Sequence, residues 1–246
     1  MTSVSTSPPA FTPVQQHPAA LPLAPELTYR RWVPNALTAL RLVIAILFFV
    51  QLAVWSYPVR DLLVTAKEPV WRYLIAAFLF GLAALTDALD GPLARRWQVV
   101  SKFGRVMDPF ADKVLVVGAF VMLAGPQFAL DKGDGSHFQV SGVTPWMVVV
   151  ILGRELLVTS IRAVAEEDGV DFSAGWSGKA KMILQACVIP FILILLGITE
   201  VREGYIWRQV IDIAVWITVI VTVISGVPYV VKGFGVLSRP ERQKRS

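Results

Sequence analysis

A single cysteine, Cys187, occurs in the chain, so neither a disulfide framework nor a cysteine-built metal site can form within it. It lies in an apolar stretch, where a small thiol is expected to pack in the core. Histidine is nearly as scarce. His17 and His137 stand apart from other ligand-type residues, which argues against histidine-based catalysis. Residues 1–28 lack Lys and Arg altogether but contain Pro8, Pro9, Pro13, Pro18, Pro22 and Pro25. Without a charged start and an apolar core this stretch does not resemble a signal peptide, and its composition predicts a disordered, partly extended tail. The ten-residue alternating segments of a membrane barrel are missing too.

What the chain has instead is continuous apolar blocks. It is 55% hydrophobic with a mean hydropathy of +0.60, too apolar for an ordinary soluble domain. The blocks predict an all-α polytopic membrane protein with six transmembrane helices at about 36–56, 71–88, 108–125, 144–164, 180–199 and 209–231. The expected organisation is a tail over 1–28, a membrane domain over 29–235 and a basic tail over 236–246. Residues 126–142, with Asp131, Asp134 and His137, have incomplete spacing for a calcium loop and predict an outward-facing turn.

Charge placement sets the expected topology. With six spans and both termini cytoplasmic, Arg30, Arg31, Arg95, Arg96, Lys102, Arg105, Arg162, Lys179, Lys181 and the basic C-terminal tail share one side. The other side holds Arg60, Lys67, Arg72, Lys132, Arg202 and Arg208. The positive-inside rule then orients the chain in the cytoplasmic membrane. The basic residues flank spans instead of forming a stripe, so anionic lipid head groups are the expected counterpart, with no nucleic acid.

One acidic string breaks the apolar pattern: Asp87-x2-Asp90-Gly91-x2-Ala94-Arg95-x8-Gly104-x3-Asp108-x3-Asp112. Carboxylates beside hydrocarbon are expensive unless a cation compensates them. The uninterrupted apolar run after the string, Val114 to Ala124, covers only about 17 Å at about 1.5 Å per residue, against roughly 30 Å of hydrocarbon. The helix must therefore start earlier and carry Asp108 and Asp112. On helices, Asp87 with Asp90 and Asp108 with Asp112 each share a face, and Gly91, Ala94 and Arg95 continue the first face. An antiparallel return would bring both pairs to one cytoplasm-facing polar cavity. Hard oxygen donors predict Mg²⁺ or Mn²⁺, and four carboxylates balance two divalent ions. Arg95 would then remain for a ligand phosphate, and Gly91 and Gly104 would permit close approach. This arrangement suits phosphoryl-type transfer, in which a spare carboxylate takes a proton from an attacking hydroxyl. A divalent-cation transporter leaves Gly91, Arg95 and Gly104 without a purpose, and a scaffold has no need for converging carboxylates.

The string resembles the signature of the CDP-alcohol phosphatidyltransferases, a family of integral membrane enzymes. Other stretches resemble the bacterial phosphatidylglycerophosphate synthases within it: Pro34-Asn35-Ala36-Leu37-Thr38-Ala39-Leu40-Arg41, Met107-Asp108-Pro109-Phe110-Ala111-Asp112-Lys113, Gly153-Arg154-Glu155-Leu156-Leu157 with Arg162, and Ser177-Gly178-Lys179-Ala180-Lys181. The resemblance implies transfer of a phosphatidyl group from CDP-diacylglycerol to glycerol 3-phosphate, giving phosphatidylglycerophosphate and CMP. It implies metal binding by Asp87, Asp90, Asp108 and Asp112, with Asp112 also the general base. It further implies CDP-lipid contacts by Gly91, Ala94, Arg95, Ser101 and Gly104, helped by Asn35 and Thr38, and a homodimer. The acceptor's phosphate calls for a second cationic site, for which Arg154, Arg162, Lys179, Lys181 and Arg41 are the candidates. The signature specifies the donor half better than the acceptor half, so inositol phosphate, phosphatidylglycerol or serine are the alternative acceptors.

Overall fold

Backbone polar groups in hydrocarbon must be satisfied within their own segment, and continuous apolar blocks do so by coiling into helices. The computed structural model describes residues 25–54, 71–97, 102–131, 136–167, 176–199 and 206–237. Within them lie six helices: α1 (Pro25–Val54), α2 (Trp71–Trp97), α3 (Lys102–Leu123), α4 (Pro145–Glu167), α5 (Trp176–Ile198) and α6 (Ile206–Leu237). The expected N-terminal tail up to residue 24 and the C-terminal tail from 238 lie outside the described residues.

The helices outrun the apolar blocks that nucleate them. Pro25 takes the first position of α1, where its missing N–H is of no consequence. At 32 residues, α6 extends about 48 Å, longer than the roughly 30 Å hydrocarbon layer. Four helices contain segments long and apolar enough to cross a membrane: Ala36–Val54, Trp71–Ala88, Gly178–Ile198 and Ile206–Gly235. The six apolar blocks thus reduce to four by this measure. Helix α3 carries Asp108, Asp112 and Lys113, and α4 carries Arg154, Glu155 and Arg162.

Helix α1 packs against α2 and α3, α2 against α5, and α6 against α4 and α5. Phe48, Phe80, Phe120, Phe128, Ile189 and Ile211 form part of the shared core, and the Phe48 and Phe80 rings sit 5.6 Å apart. Such tilted aromatic pairs add attraction beyond area burial. The outward residues are equally apolar: Val43, Ile46, Leu47 and Val50 on α1, and Ile213, Ile217, Ile220 and Ile224 on α6, are exposed. That pattern is a lipid-facing surface. Cys187, expected in the core, is exposed on α5. Helix α5 is apolar on nearly every side, so periodicity does not reveal which face turns inward.

The stretch after α3 is more ordered than the expected turn. A 3-10 turn (Pro126–Phe128) leads into strands β1 (Ala129–Asp131) and β2 (His137–Gln139), paired antiparallel with Leu130 opposite Phe138. Beyond β2 the chain dives inward. Buried Ser141 donates to the Leu123 carbonyl at 2.5 Å, and the Gln139 amide donates to the same carbonyl at 2.7 Å. These bonds satisfy the end of α3, whose last carbonyls have no helical partner. Gly142 follows with φ +72°; a Cβ there would lie 3.0 Å from both Asp212 Oδ1 and Ile211 Cγ2.

Candidate active site

Five helices contribute to one cavity of about 240 Å³. Its charged lining comprises Arg41 from α1, Asp87 from α2, Asp112 and Lys113 from α3, Glu155 from α4 and Lys181 from α5. Three acids face three bases, so these groups are formally neutral together. Apolar residues, including Phe80, Leu115 and Ile183, complete the wall.

Arg41 lies one turn after buried Thr38 and is itself only 1% exposed. Its Nη1 stands 2.6 Å from Asp87 Oδ1. A buried guanidinium requires such a partner, because desolvating it alone is strongly unfavourable. Asp87 retains 37% exposure. Its helix carries on through Asp90, Gly91, Ala94 and Arg95.

Across the cavity, Lys181 Nζ donates to Glu155 Oε1, joining α5 to α4. Lys113 Nζ donates to Thr159 Oγ1 at 2.5 Å, linking α3 to α4. One helical turn after Lys181, buried Gln185 donates to Thr222 Oγ1 at 3.0 Å and ties α5 to α6. The charged groups are therefore held on a cross-braced frame.

The structure thus brings together Arg41, Asp87, Asp112 and Lys181 from the sequence-predicted set. Asp90, Gly91, Ala94 and Arg95 lie on α2, Gly104 and Asp108 on α3, and Asn35 on α1; their side chains fall outside the described residues. Ser101 lies outside them entirely. Lys179 is exposed and Arg162 is half-buried, and neither lines the cavity. Arg154 stands behind the wall. Its Nη2 donates to the Ser225 carbonyl at 3.2 Å and its guanidinium lies 5.9 Å from the Tyr229 ring centre.

Sequence reasoning missed three polar lining residues. Gln185 is one turn from Lys181 and shares its face, a signal that i, i+4 spacing offers. Lys113 adjoins Asp112 in the motif itself. Glu155 had entered only as part of the Gly153–Leu157 motif, with no role of its own.

The donor chemistry fits a hard divalent cation. Asp87 and Asp112, both oxygen-donor residues, line one cavity, with neither histidine nor cysteine on its lining. Among the described residues no three acidic, His or Cys side chains gather as a ligand set. Asp90 and Asp108, the other two expected ligands, are among those whose side chains lie outside that description.

Comparison with known proteins places this geometry in context. Residues 31–224 match the sequence profile described as CDP-alcohol phosphatidyltransferase. A CDP-diacylglycerol–glycerol-3-phosphate 3-phosphatidyltransferase of Bacillus subtilis is 32% identical over 206 residues, covering 83% of this chain and 96% of the relative. The protein of the same name from Cereibacter sphaeroides is 33% identical over 72% of each chain. A probable phosphatidylglycerophosphate synthase of Mycobacterium tuberculosis is 35% identical over 65% of this chain and 66% of the relative.

Proposed function

Because the chain belongs to the CDP-alcohol phosphatidyltransferase family, we propose that it transfers a phosphatidyl group from CDP-diacylglycerol to glycerol 3-phosphate, releasing CMP. Membership makes it a membrane enzyme of phospholipid biosynthesis. The acceptor assignment draws support from the relatives named above and from one structural observation. One cavity is lined by both Asp112 of the acidic signature and Lys181.

The residues divide the work by charge. Mg²⁺ or Mn²⁺, held by Asp87, Asp90, Asp108 and Asp112, would neutralise the donor's pyrophosphate and stabilise the departing CMP. Gly91, Ala94 and Gly104 give the donor's head group room, and Arg95, with Ser101, Asn35 and Thr38, binds it. Lys181 holds the acceptor's phosphate, with Arg154, Arg162, Lys179 and Arg41 adding positive potential. Asp112 accepts the proton of the acceptor hydroxyl. That oxygen bonds to the lipid-side phosphorus as the phosphorus–oxygen bond to CMP breaks, and CMP leaves with the electron pair. Holding both reactants in one small cavity converts a bimolecular encounter into an oriented one.

The acyl chains need a route as well. Met182 and Ile183 line the cavity and are also exposed on the apolar exterior of α5, which supports lateral entry of the donor from the bilayer. In the full reading α3 and α4 also span, giving six membrane helices, with both termini and the active site cytoplasmic. The protein is expected to act as a homodimer.

The test is Mg²⁺-dependent CMP release by the purified chain, with glycerol 3-phosphate, inositol phosphate, phosphatidylglycerol and serine compared as acceptors. Release with glycerol 3-phosphate alone is expected. Release only with another acceptor overturns the substrate assignment and leaves the family intact.

A further inference from the structure

Glu155 has no part in the chemistry above, yet its carboxylate sits among the cations assigned to the acceptor. Its Oε1 accepts the Lys181 hydrogen bond and lies 3.4 Å from Arg154 Nη1. The Lys181, Arg154 and Glu155 side chains are 6%, 10% and 13% exposed, so salt screens them little. The two cations differ in freedom. Arg154 is fastened to α6 by the Ser225 carbonyl and the Tyr229 ring, and a Cβ on Gly226 would come within 3.2 Å of its Cγ. Lys181 carries its ammonium on a flexible four-carbon stem, with Glu155 as its hydrogen-bond partner among the described residues.

We infer that Glu155 is a stand-in anion for the acceptor's phosphate. Before the acceptor arrives, its carboxylate keeps the desolvated Lys181 ammonium charged and in place. The arriving phosphate takes over the ammonium, and Arg154 remains to compensate Glu155. Acceptor affinity is then a difference between two anions competing for one cation. An alcohol without a phosphate has nothing with which to displace the carboxylate, so the exchange selects for charged acceptors. The inference rests on the proposal that the acceptor carries a phosphate.

The test uses inorganic phosphate as probe and the full chain in detergent, with no donor or acceptor alcohol, by isothermal titration. Glu155→Gln should bind phosphate about tenfold more tightly than the parent, the low end of what close charge pairs are worth. In a Lys181→Gln background the same change should bring no gain, because the competition has lost its object. Glu155→Asp, which retracts the carboxylate by one methylene, should give a smaller gain of about threefold with the same dependence on Lys181. It carries the test if Glu155→Gln does not fold. Unchanged or weaker phosphate binding in a folded variant overturns the inference, as does a gain that persists without Lys181 or no saturable phosphate binding in any of these proteins. Since the titration involves no turnover, these results stand apart from the acceptor comparison, which tests the proposed reaction.

Discussion

Arg41→Met removes the most deeply buried charge among the described residues while keeping much of its volume. At 2.6 Å and an effective dielectric of about 20, the Arg41–Asp87 attraction is roughly 6 kcal/mol. Not all of it is lost on substitution. Asp87 keeps 37% exposure and can rehydrate, so the expected loss is about 2–3 kcal/mol, below the roughly 3–5 kcal/mol for breaking a fully buried pair. For a chain of this length that lowers Tm by about 4–12 °C. The assay is thermal unfolding of purified protein in detergent with EDTA present, so that no divalent ion substitutes for the missing guanidinium. The double variant Arg41→Met/Asp87→Asn should recover more than half of the loss, because removing both partners leaves no stranded charge. A single variant with unchanged Tm, or a double variant no more stable than the single, refutes the pairing as a stabilising element.

Three further outcomes are expected. Asp112→Asn should lower kcat by about 10²–10⁴-fold, the usual contribution of a general base, while Mn²⁺ binding measured by electron paramagnetic resonance persists; near-normal CMP release would remove Asp112 from that role. Lys181→Ala should raise the KM for glycerol 3-phosphate about tenfold or more, whereas Lys179→Ala, on the exposed side of the same helix, should change it by less than about threefold; equal effects would contradict the placement of the acceptor phosphate at Lys181. Gly142→Ala forces a side chain into left-handed backbone and against Asp212 and Ile211, so Tm should fall by an amount equivalent to about 1–2 kcal/mol. An unchanged melting curve would show that the loop relaxes freely.

Some of the site was legible from local spacing and some was not. The meeting of Asp87 and Asp112 followed from the short apolar run after Asp112, which draws the acidic end of α3 into its helix, and from an antiparallel return to α2. Arg41 was expected at the acceptor phosphate, and its partner Asp87, on the next helix, could not be read from spacing within α1. Lys179 and Lys181 show where periodicity stops helping. Two residues apart on a helix they point about 200° from each other, so both cannot face the cavity, and sequence does not say which one does. Arg154 looked like a phosphate ligand because a charged residue within a span seldom faces lipid. Beside its neighbour Glu155, it contacts Ser225 and Tyr229, which arrive from α6 some seventy residues later. The hairpin after α3 was hidden for a similar reason, since its two strands have only three residues each.

The position of Met182 and Ile183, lining the cavity and facing the exterior at once, bears on how such an enzyme is supplied. With lateral entry, the donor arrives by diffusion in two dimensions and the acceptor in three. Half-saturation for one is then a mole fraction of the surrounding lipid, and for the other a molarity in the adjoining water. Diluting the donor with inert lipid slows the reaction even when its amount per volume is constant, so membrane composition itself becomes a control on the rate.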